Sequence, residues 1–338
     1  MEAPLLEVSN LQIKYGGSRP VIAVDGVSFQ LQLGDNLGLV GESGCGKTTL
    51  AKSLLGLLPR NGSVAGGSIR WDGVEVTRFT EKEWNRLRWA DIAIIPQNAL
   101  NSLNPVYRLR DQIVEAIRAH KSVSVQEARQ QADQLCRMVG IDPERLLDYP
   151  HQLSGGMRQR LVIGMALALK PRLIIADEPT TALDVIVQDR IIRQIVDLQR
   201  EFRFAMIYIS HDIGVIAETC HLIAVIYAGK IAEYGSTRDV LNHPIHPYTM
   251  GLKNAFPEIR VEKPLISIPG HPPSLASPPT GCRFASRCPF VGERCLAEEP
   301  RLVEHAPGQY AACHYADRAP ELRQLAARAS TWQKVPAD

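Results

Sequence analysis

Eight residues, Gly41-Glu42-Ser43-Gly44-Cys45-Gly46-Lys47-Thr48, follow the pattern G-x-x-x-x-G-K-[ST]. The glycines let backbone N–H groups close around phosphate oxygens. Lys47 has the charge and reach for the β- and γ-phosphates, and the Thr48 hydroxyl suits Mg²⁺. Thr49 belongs to the same phosphate-binding set. A second group, Asp177-Glu178, ends the apolar run Leu173-Ile174-Ile175-Ala176. Carboxylates at the end of a buried strand suit a metal contact, usually through water, for Asp177. Glu178 then has the chemistry of a general base that polarises the water attacking a γ-phosphate. A third, Leu153-Ser154-Gly155-Gly156-Met157-Arg158-Gln159, sets a hydroxyl and bare glycine N–H groups ahead of a helical run. Finally, Cys282-x5-Cys288-x6-Cys295-x17-Cys313 lacks the paired C-x2-C spacing of ordinary zinc modules. Its chemistry leaves an iron–sulfur cluster, zinc and unligated structural thiols all open.

Short β-branched runs alternating with helical patterns must position these groups, and they read as an α/β body. Asn36–Val40, Ile92–Ile95, Leu173–Ala176, Ala205–Ile209 and Leu222–Tyr227 are apolar nearly throughout, as strands buried on both faces are. Leu6–Tyr15 and Val21–Leu33 alternate apolar and polar residues, which predicts antiparallel strands with one wet face. The phosphate loop thus lies between the strand Leu37–Val40 and a helical run over Leu50–Leu58. Between 98 and 170 the pattern is helical. Asn104-Pro105 predicts a cap and a first-turn proline ahead of Val106, Leu109, Ile113 and Ile117. Ser124 to Glu127 is a capping box for a second helix, with Ala128, Ala132, Leu135 and Val139 on one face and Gly140 as its stop.

Composition sets the limits. The chain has 338 residues, 45% hydrophobic and 22% charged, enough for two or three domains with a core that needs no disulfides. Thirty-eight Lys and Arg against 36 Asp and Glu leave +2, too balanced to point to nucleic acid or an anionic membrane surface as the main partner. The longest apolar run, Leu161–Leu169, falls well short of the ~20 residues that cross a bilayer. MEAPLLEVSN has no basic region before an apolar stretch, which predicts no secretory signal. Seven cysteines, an odd number, predict a reducing compartment and a cytosolic protein. Residues 1–256 hold 11 of the 23 prolines and residues 257–338 the other 12, with four of the seven cysteines. The expected division is a body over 1–255, with a helical subdomain near 98–170, and a loop-rich extension over 256–338.

The run from Leu153 to Gln159, taken with the phosphate loop and Asp177-Glu178, resembles the LSGGQ-like signature of ABC transporter nucleotide-binding subunits. Met157 stands where many members have glutamine, and SGGMRQR is the form of the peptide-importer branch. The resemblance covers almost the whole chain. It implies an α/β fold with a P-loop ABC ATPase core (a mostly parallel sheet and an antiparallel β subdomain), a helical subdomain and a loop-rich C-terminal extension. It also implies that Ser154, Gly155, Gly156 and Gln159 act on ATP held by a partner subunit. Tyr15 matches the aromatic that stacks on adenine. Gln97 matches the glutamine that touches Mg²⁺ and water and signals to the membrane subunits. Asp184, in Ala182-Leu183-Asp184, matches the loop that communicates across the dimer, and His211 the switch histidine at the γ-phosphate. Thr48, Gln97 and Asp177 are then the Mg²⁺ set. Cys45 departs from the usual serine, and alkylation of a thiol there is expected to block ATP hydrolysis, with ATP protecting against it.

His246-Pro247-Tyr248-Thr249, Ile268-Pro269-Gly270, Gly281-Cys282-Arg283-Phe284 and Arg287-Cys288-Pro289 are similar to the C-terminal extension of dipeptide and oligopeptide importer ATPases. The resemblance implies a [4Fe–4S] cluster on Cys282, Cys288, Cys295 and Cys313. It further implies a D-type subunit paired with an F-type ATPase, two membrane permease subunits and an extracytoplasmic solute-binding protein. Its place would be the cytoplasmic face of the inner membrane, touching the membrane through the permeases alone. Peptides are the expected cargo, with nickel, glutathione and oligosaccharides as alternatives in the same branch. A soluble ABC ATPase acting on DNA or ribosomes, or a redox-sensing regulator, is the contrasting expectation.

Overall fold

A computed structural model describes residues 3–97, 102–180, 184–255 and 265–333. Their strands, in chain order, begin with β1 (Leu6–Tyr15), β2 (Val21–Leu31), β3 (Asn36–Val40), β4 (Gly62–Trp71), β5 (Val74–Glu75) and β6 (Ile92–Ile95). They continue with β7 (Leu173–Asp177), β8 (Ala205–Ser210), β9 (Leu222–Tyr227), β10 (Lys230–Ser236), β11 (Val303–Ala306) and β12 (Gln309–Ala311). The chain folds as two compact units. One is made of Met1–Leu31, Asn36–Thr77 and Ile209–Asp338, the other of Gln32–Asp35 and Arg78–Tyr208.

The first unit carries an antiparallel sheet in the order β2-β1-β4-β5, with Leu6 opposite Leu31 and Trp71, and Tyr15 opposite Val21 and Gly62. The alternation read from sequence places Leu6, Val8, Leu11 and Ile13 inside, each 1% exposed or less. Strand β2 stops at Leu31, short of the expected Leu33, whose side chain is exposed. A second sheet runs β11-β12-β10-β9-β3, where β3 and β9 are parallel and the rest antiparallel. Strand β3 is buried along its whole length, and β9 everywhere but its first residue. Gly38 on β3 admits the neighbouring helix Ile213–Thr219, since a Cβ there would sit 2.3 Å from Ile216 Cγ2.

The C-terminal region is more ordered than its proline content predicts. It adds β11 and β12 to the sheet edge and folds helices at Glu293–Ala297, Ala319–Ala326 and Ala329–Trp332. The join is made by Glu233 of β10, which is fully buried. Its carboxylate accepts the Ile245 and His246 N–H groups and Gln309 Nε2–H from β12, each at 2.9 Å.

The second unit holds β8-β7-β6, with β6 and β7 parallel from Ile92 opposite Leu173 to Ile95 opposite Ala176. Among its described residues this unit also holds five α-helices: Glu81–Leu87, Leu109–His120, Val125–Met138, Gly155–Leu167 and Val185–Phe202. The Ser124 capping box forms as read: its hydroxyl accepts from Glu127 N at 3.2 Å and its own N–H donates to the Glu127 carboxylate at 2.8 Å. Leu109, Ile113 and Ile117 meet Ala128, Ala132 and Leu135 in a core where none exceeds 4% exposure. The preceding helix starts later than expected. Asn104 accepts from Val106 N two residues on, a turn rather than a cap, so the helix begins at Leu109 and Val106 is left exposed.

Candidate functional site

In the first unit the phosphate loop joins β3 to the helix Lys47–Ser53, which ends earlier than the apolar run to Leu58 suggests. Gly41 has φ +153°, and a Cβ there would lie 2.1 Å from the Ile226 carbonyl oxygen. Gly46 has φ +108°, and its Cβ would lie 2.3 Å from the Ala23 oxygen. Any side chain at either position would displace backbone, so the sequence has no alternative there. Lys47 is 7% exposed, and its ammonium donates to Gly41 O (2.6 Å) and Glu42 O (3.0 Å). Those carbonyls hold the charge at the loop mouth, where an anionic oxygen can take it over. Ser43, Gly44, Thr48 and Thr49 complete the loop and its exit. The Thr49 hydroxyl meets the Tyr15 hydroxyl at 3.1 Å, tying the end of β1 to the helix.

Cys45 corrects the expected reactivity. It is 3% exposed, with Sγ 3.6 Å from Lys47 Nζ, and burial pushes its thiol pKa up against the pull of that ammonium. The nucleophile is the thiolate, so at neutral pH this thiol is shielded and protonated. His211, also of this unit, is exposed at the end of β8, and Asp212 beside it caps the helix Ile213–Thr219 by accepting from Gly214 N at 2.8 Å.

The second unit brings Gln97, Asp177 and Glu178 together. Strand β7 is buried to its last residue, Asp177, which is 5% exposed. Glu178 follows at φ +46°, a left-handed backbone that a non-glycine residue adopts at a cost, and that re-aims its carboxylate as the strand ends. Gln97, after β6, donates from Nε2 to Glu178 Oε2 at 3.1 Å. That bond ties the glutamine after β6 to the carboxylate that follows β7.

The glycine-rich signature opens the helix Gly155–Leu167. Ser154 is its N-cap and accepts from Met157 N at 3.3 Å. A Cβ on Gly156 would lie 2.9 Å from Val187 Cγ1, so the small residue lets the helix Val185–Phe202 approach. Asp184 caps that helix by accepting from Val187 N at 2.9 Å. Ser154, Gly155, Gly156 and Asp184 all line one open cavity of about 830 Å³, with Arg160 and Arg190 on its wall. Gln159 points elsewhere, being 3% exposed, so the open face is Ser154–Gly156. Ala182 and Leu183 lie outside the described residues.

Cys282, Cys288, Cys295 and Cys313 all line one small cavity, with His246 and Phe284 beside them. Burial raises the thiol pKa of Cys282 to about 11 and of Cys313 to about 12, and raises that of Cys288 as well. Among the described residues no three His, Cys, Asp or Glu side chains are placed to hold a single metal ion. Cys136 and Cys220 are buried thiols, each raised to about 12 by burial.

Sequence reasoning missed the residues behind the phosphate loop. Arg287 pairs with Glu42, Arg283 pairs with Asp25, and the Tyr248 hydroxyl accepts the Glu42 N–H. The one signal was the pair of arginines flanking cysteines in GCRFASRC, and nothing local says where they reach.

No helix among the described residues is long and apolar enough to cross a membrane. Residues 24–181 match the ABC transporter family, and residues 232–295 match the oligopeptide/dipeptide transporter C-terminal region. The chain is 46% identical to a probable peptide ABC transporter ATP-binding protein of Sinorhizobium fredii, over 91% of this chain and 94% of that protein. It is 43% identical to the dipeptide transport ATP-binding protein DppD of Escherichia coli K12, over 92% and 96%. To the oligopeptide transport ATP-binding protein OppD of Salmonella typhimurium it is 45% identical, over 91% and 93%. The ATP-binding cassette MJ0796, solved as a dimer bound to ADP and Pi, shares the fold, with TM-score 0.62 and 24% identity over 69% of this chain and 99% of that one. So does cbiO1 of Clostridium perfringens, with TM-score 0.62 and 26% identity over 71% and 92%. With a glycine-cradled phosphate loop, a carboxylate pair closing β7 and relatives above 40% identity along nine-tenths of its length, the chain belongs to the ABC transporter ATP-binding proteins, in their dipeptide and oligopeptide branch, and is an ATPase subunit.

Proposed function

We propose that this chain powers the import of dipeptides or oligopeptides by hydrolysing ATP at the cytoplasmic face of the inner membrane. The observation that carries the reading is the match to peptide-transport ATP-binding proteins along nearly the whole chain, C-terminal region included. ATP is bound by Gly41 to Thr49, with adenine on Tyr15, and meets the Ser154–Gly156 face of a partner subunit. The partner is an F-type ATPase. Two permease subunits, reached through Gln97 and the helices after it, and a solute-binding protein complete the machine. The domain boundaries expected from sequence, 1–255 with its helical part and 256–338, serve as its working division.

Glu178 takes the proton from the attacking water, and Gln97, bonded to that carboxylate, orients it. Lys47 leaves the carbonyls of Gly41 and Glu42 for the phosphates, His211 meets the γ-phosphate, and Asp184 passes the state across the dimer. Thr48, Gln97 and Asp177 offer oxygen ligands that fit Mg²⁺, which when bound neutralises phosphate charge. Four thiols around one cavity are the donor set that a [4Fe–4S] cluster would take, as the resemblance implies. Bound there, it would supply a rigid cross-link or a one-electron couple.

The test is co-purification of the tagged chain from native membranes in mild detergent. Two polytopic proteins, a second ATPase and a solute-binding protein are expected, and only ribosomal or DNA-repair partners would overturn the importer reading. In the same anaerobic preparation, iron and acid-labile sulfide near four per chain are expected, and values near zero would remove the cluster.

A further inference from the structure

Glu42, the second residue of the phosphate loop, is held from behind by groups far along the chain. Its N–H donates to the Tyr248 hydroxyl at 3.0 Å, and its carbonyl accepts from Lys47 Nζ at 3.0 Å. Its two carboxylate oxygens lie 3.0 and 2.9 Å from Arg287 Nη1. Arg287 is 4% exposed and is itself fixed. Its Nε donates to Pro269 O at 2.8 Å, Nη1 is 3.3 Å from the Tyr227 hydroxyl, and the guanidinium stands 5.8 Å over the Tyr227 ring. Tyr248 is fully buried, with its ring centroid 4.5 Å from that of Tyr227 and 5.4 Å from that of Phe284.

A buried guanidinium stays charged and needs an anion. Here that anion is supplied by the loop that must itself receive phosphates. Phosphate recognition in such a loop is the work of backbone N–H groups and the lysine, so the Glu42 side chain is free for another task. When a nucleotide draws Lys47 away, Glu42 loses one of its ties. Those from Arg287 and Tyr248 do not depend on the lysine. We propose that Arg287 and Tyr248 are positioning residues for the nucleotide, and that the C-terminal region is a strut holding the loop in its phosphate-ready shape. The inference rests on reading residues 41–48 as the loop that binds ATP.

A strut raises the fraction of molecules whose loop is competent, and apparent affinity scales with that fraction. Nucleotide once bound supplies the ordering itself, so turnover at saturation is spared. In the full-length chain R287A is expected to raise Kd and KM for ATP about tenfold, in the range of coupled neighbours, with kcat within about twofold. R287K keeps the charge and should recover part of the loss. E42A/R287A should be no worse than either single change, because both remove the same tie. Y248F deletes only the hydroxyl and should raise KM about threefold. If R287A does not accumulate as folded protein, Y248F and E42Q carry the test. Folded variants with wild-type KM, or a loss confined to kcat, would overturn the strut. Wild-type protein that binds no ATP would instead overturn the reading of the loop.

Discussion

Glu178 shows what one residue gives up for its chemistry. At φ +46° its backbone lies where a side chain costs roughly 1 kcal/mol or more relative to glycine. Glu178→Gly should therefore hold or raise the melting temperature while abolishing ATP hydrolysis. Glu178→Gln keeps the strain and the shape, should bind ATP as tightly, and should lose at least about a hundredfold in turnover. Thermal melts alongside single-turnover hydrolysis check both, and a Gly variant that melts well below wild type would count against strain at this position. The phosphate loop and Asp177-Glu178 stood out in sequence because each lies in a short local run, whereas Gln97 and His211 were singled out through the resemblance alone. The ties on Glu42 were not, because Arg287 is 245 residues away and only the fold brings it there.

At the scale of elements, strands buried on both faces and the capped helix at Ser124 were readable, since apolar runs and capping boxes are local. Strand β4 escaped notice because Gly62, Gly66 and Gly67 blur its alternation, and it forms by pairing along β1. The start of the helix Pro247–Ala255 carries a pH consequence. His246 just before it is buried, its Nδ1 accepts the Tyr248 N–H at 3.0 Å, and burial lowers its pKa to about 4. Facing it are the Glu233 carboxylate, which accepts its N–H, the Phe284 ring, and Cys282, Cys288, Cys295 and Cys313 across the cavity. The unfolded chain binds a proton near pH 6.5 and the folded one only near 4, so stability present above pH 6.5 drains away as pH falls between those values. The loss is on the order of 3 kcal/mol at its limit. Denaturant midpoints at pH 7.5 and 4.5 should differ less in His246→Asn, which keeps an acceptor and cannot be protonated. An unchanged difference would place the pH sensitivity in other groups.

For the whole molecule, proline and cysteine counts marked the C-terminal region as loop-rich, but counts do not reveal that β12 pairs with β10 or that Glu233 gathers three donors. The phosphate loop, Tyr15 and His211 belong to one unit, and Gln97, Asp177, Glu178 and the signature to the other. Each unit thus carries groups that the proposed reaction requires. The bond between Glu42 and Arg287 also has a meaning in time. A ribosome adds roughly 5–20 residues per second, so about 12 to 50 seconds separate the synthesis of Glu42 from that of its partner. Through that interval a nascent chain displays a phosphate loop without its strut. On the strut reading, a nascent chain not yet extended past Arg287 takes up nucleotide poorly.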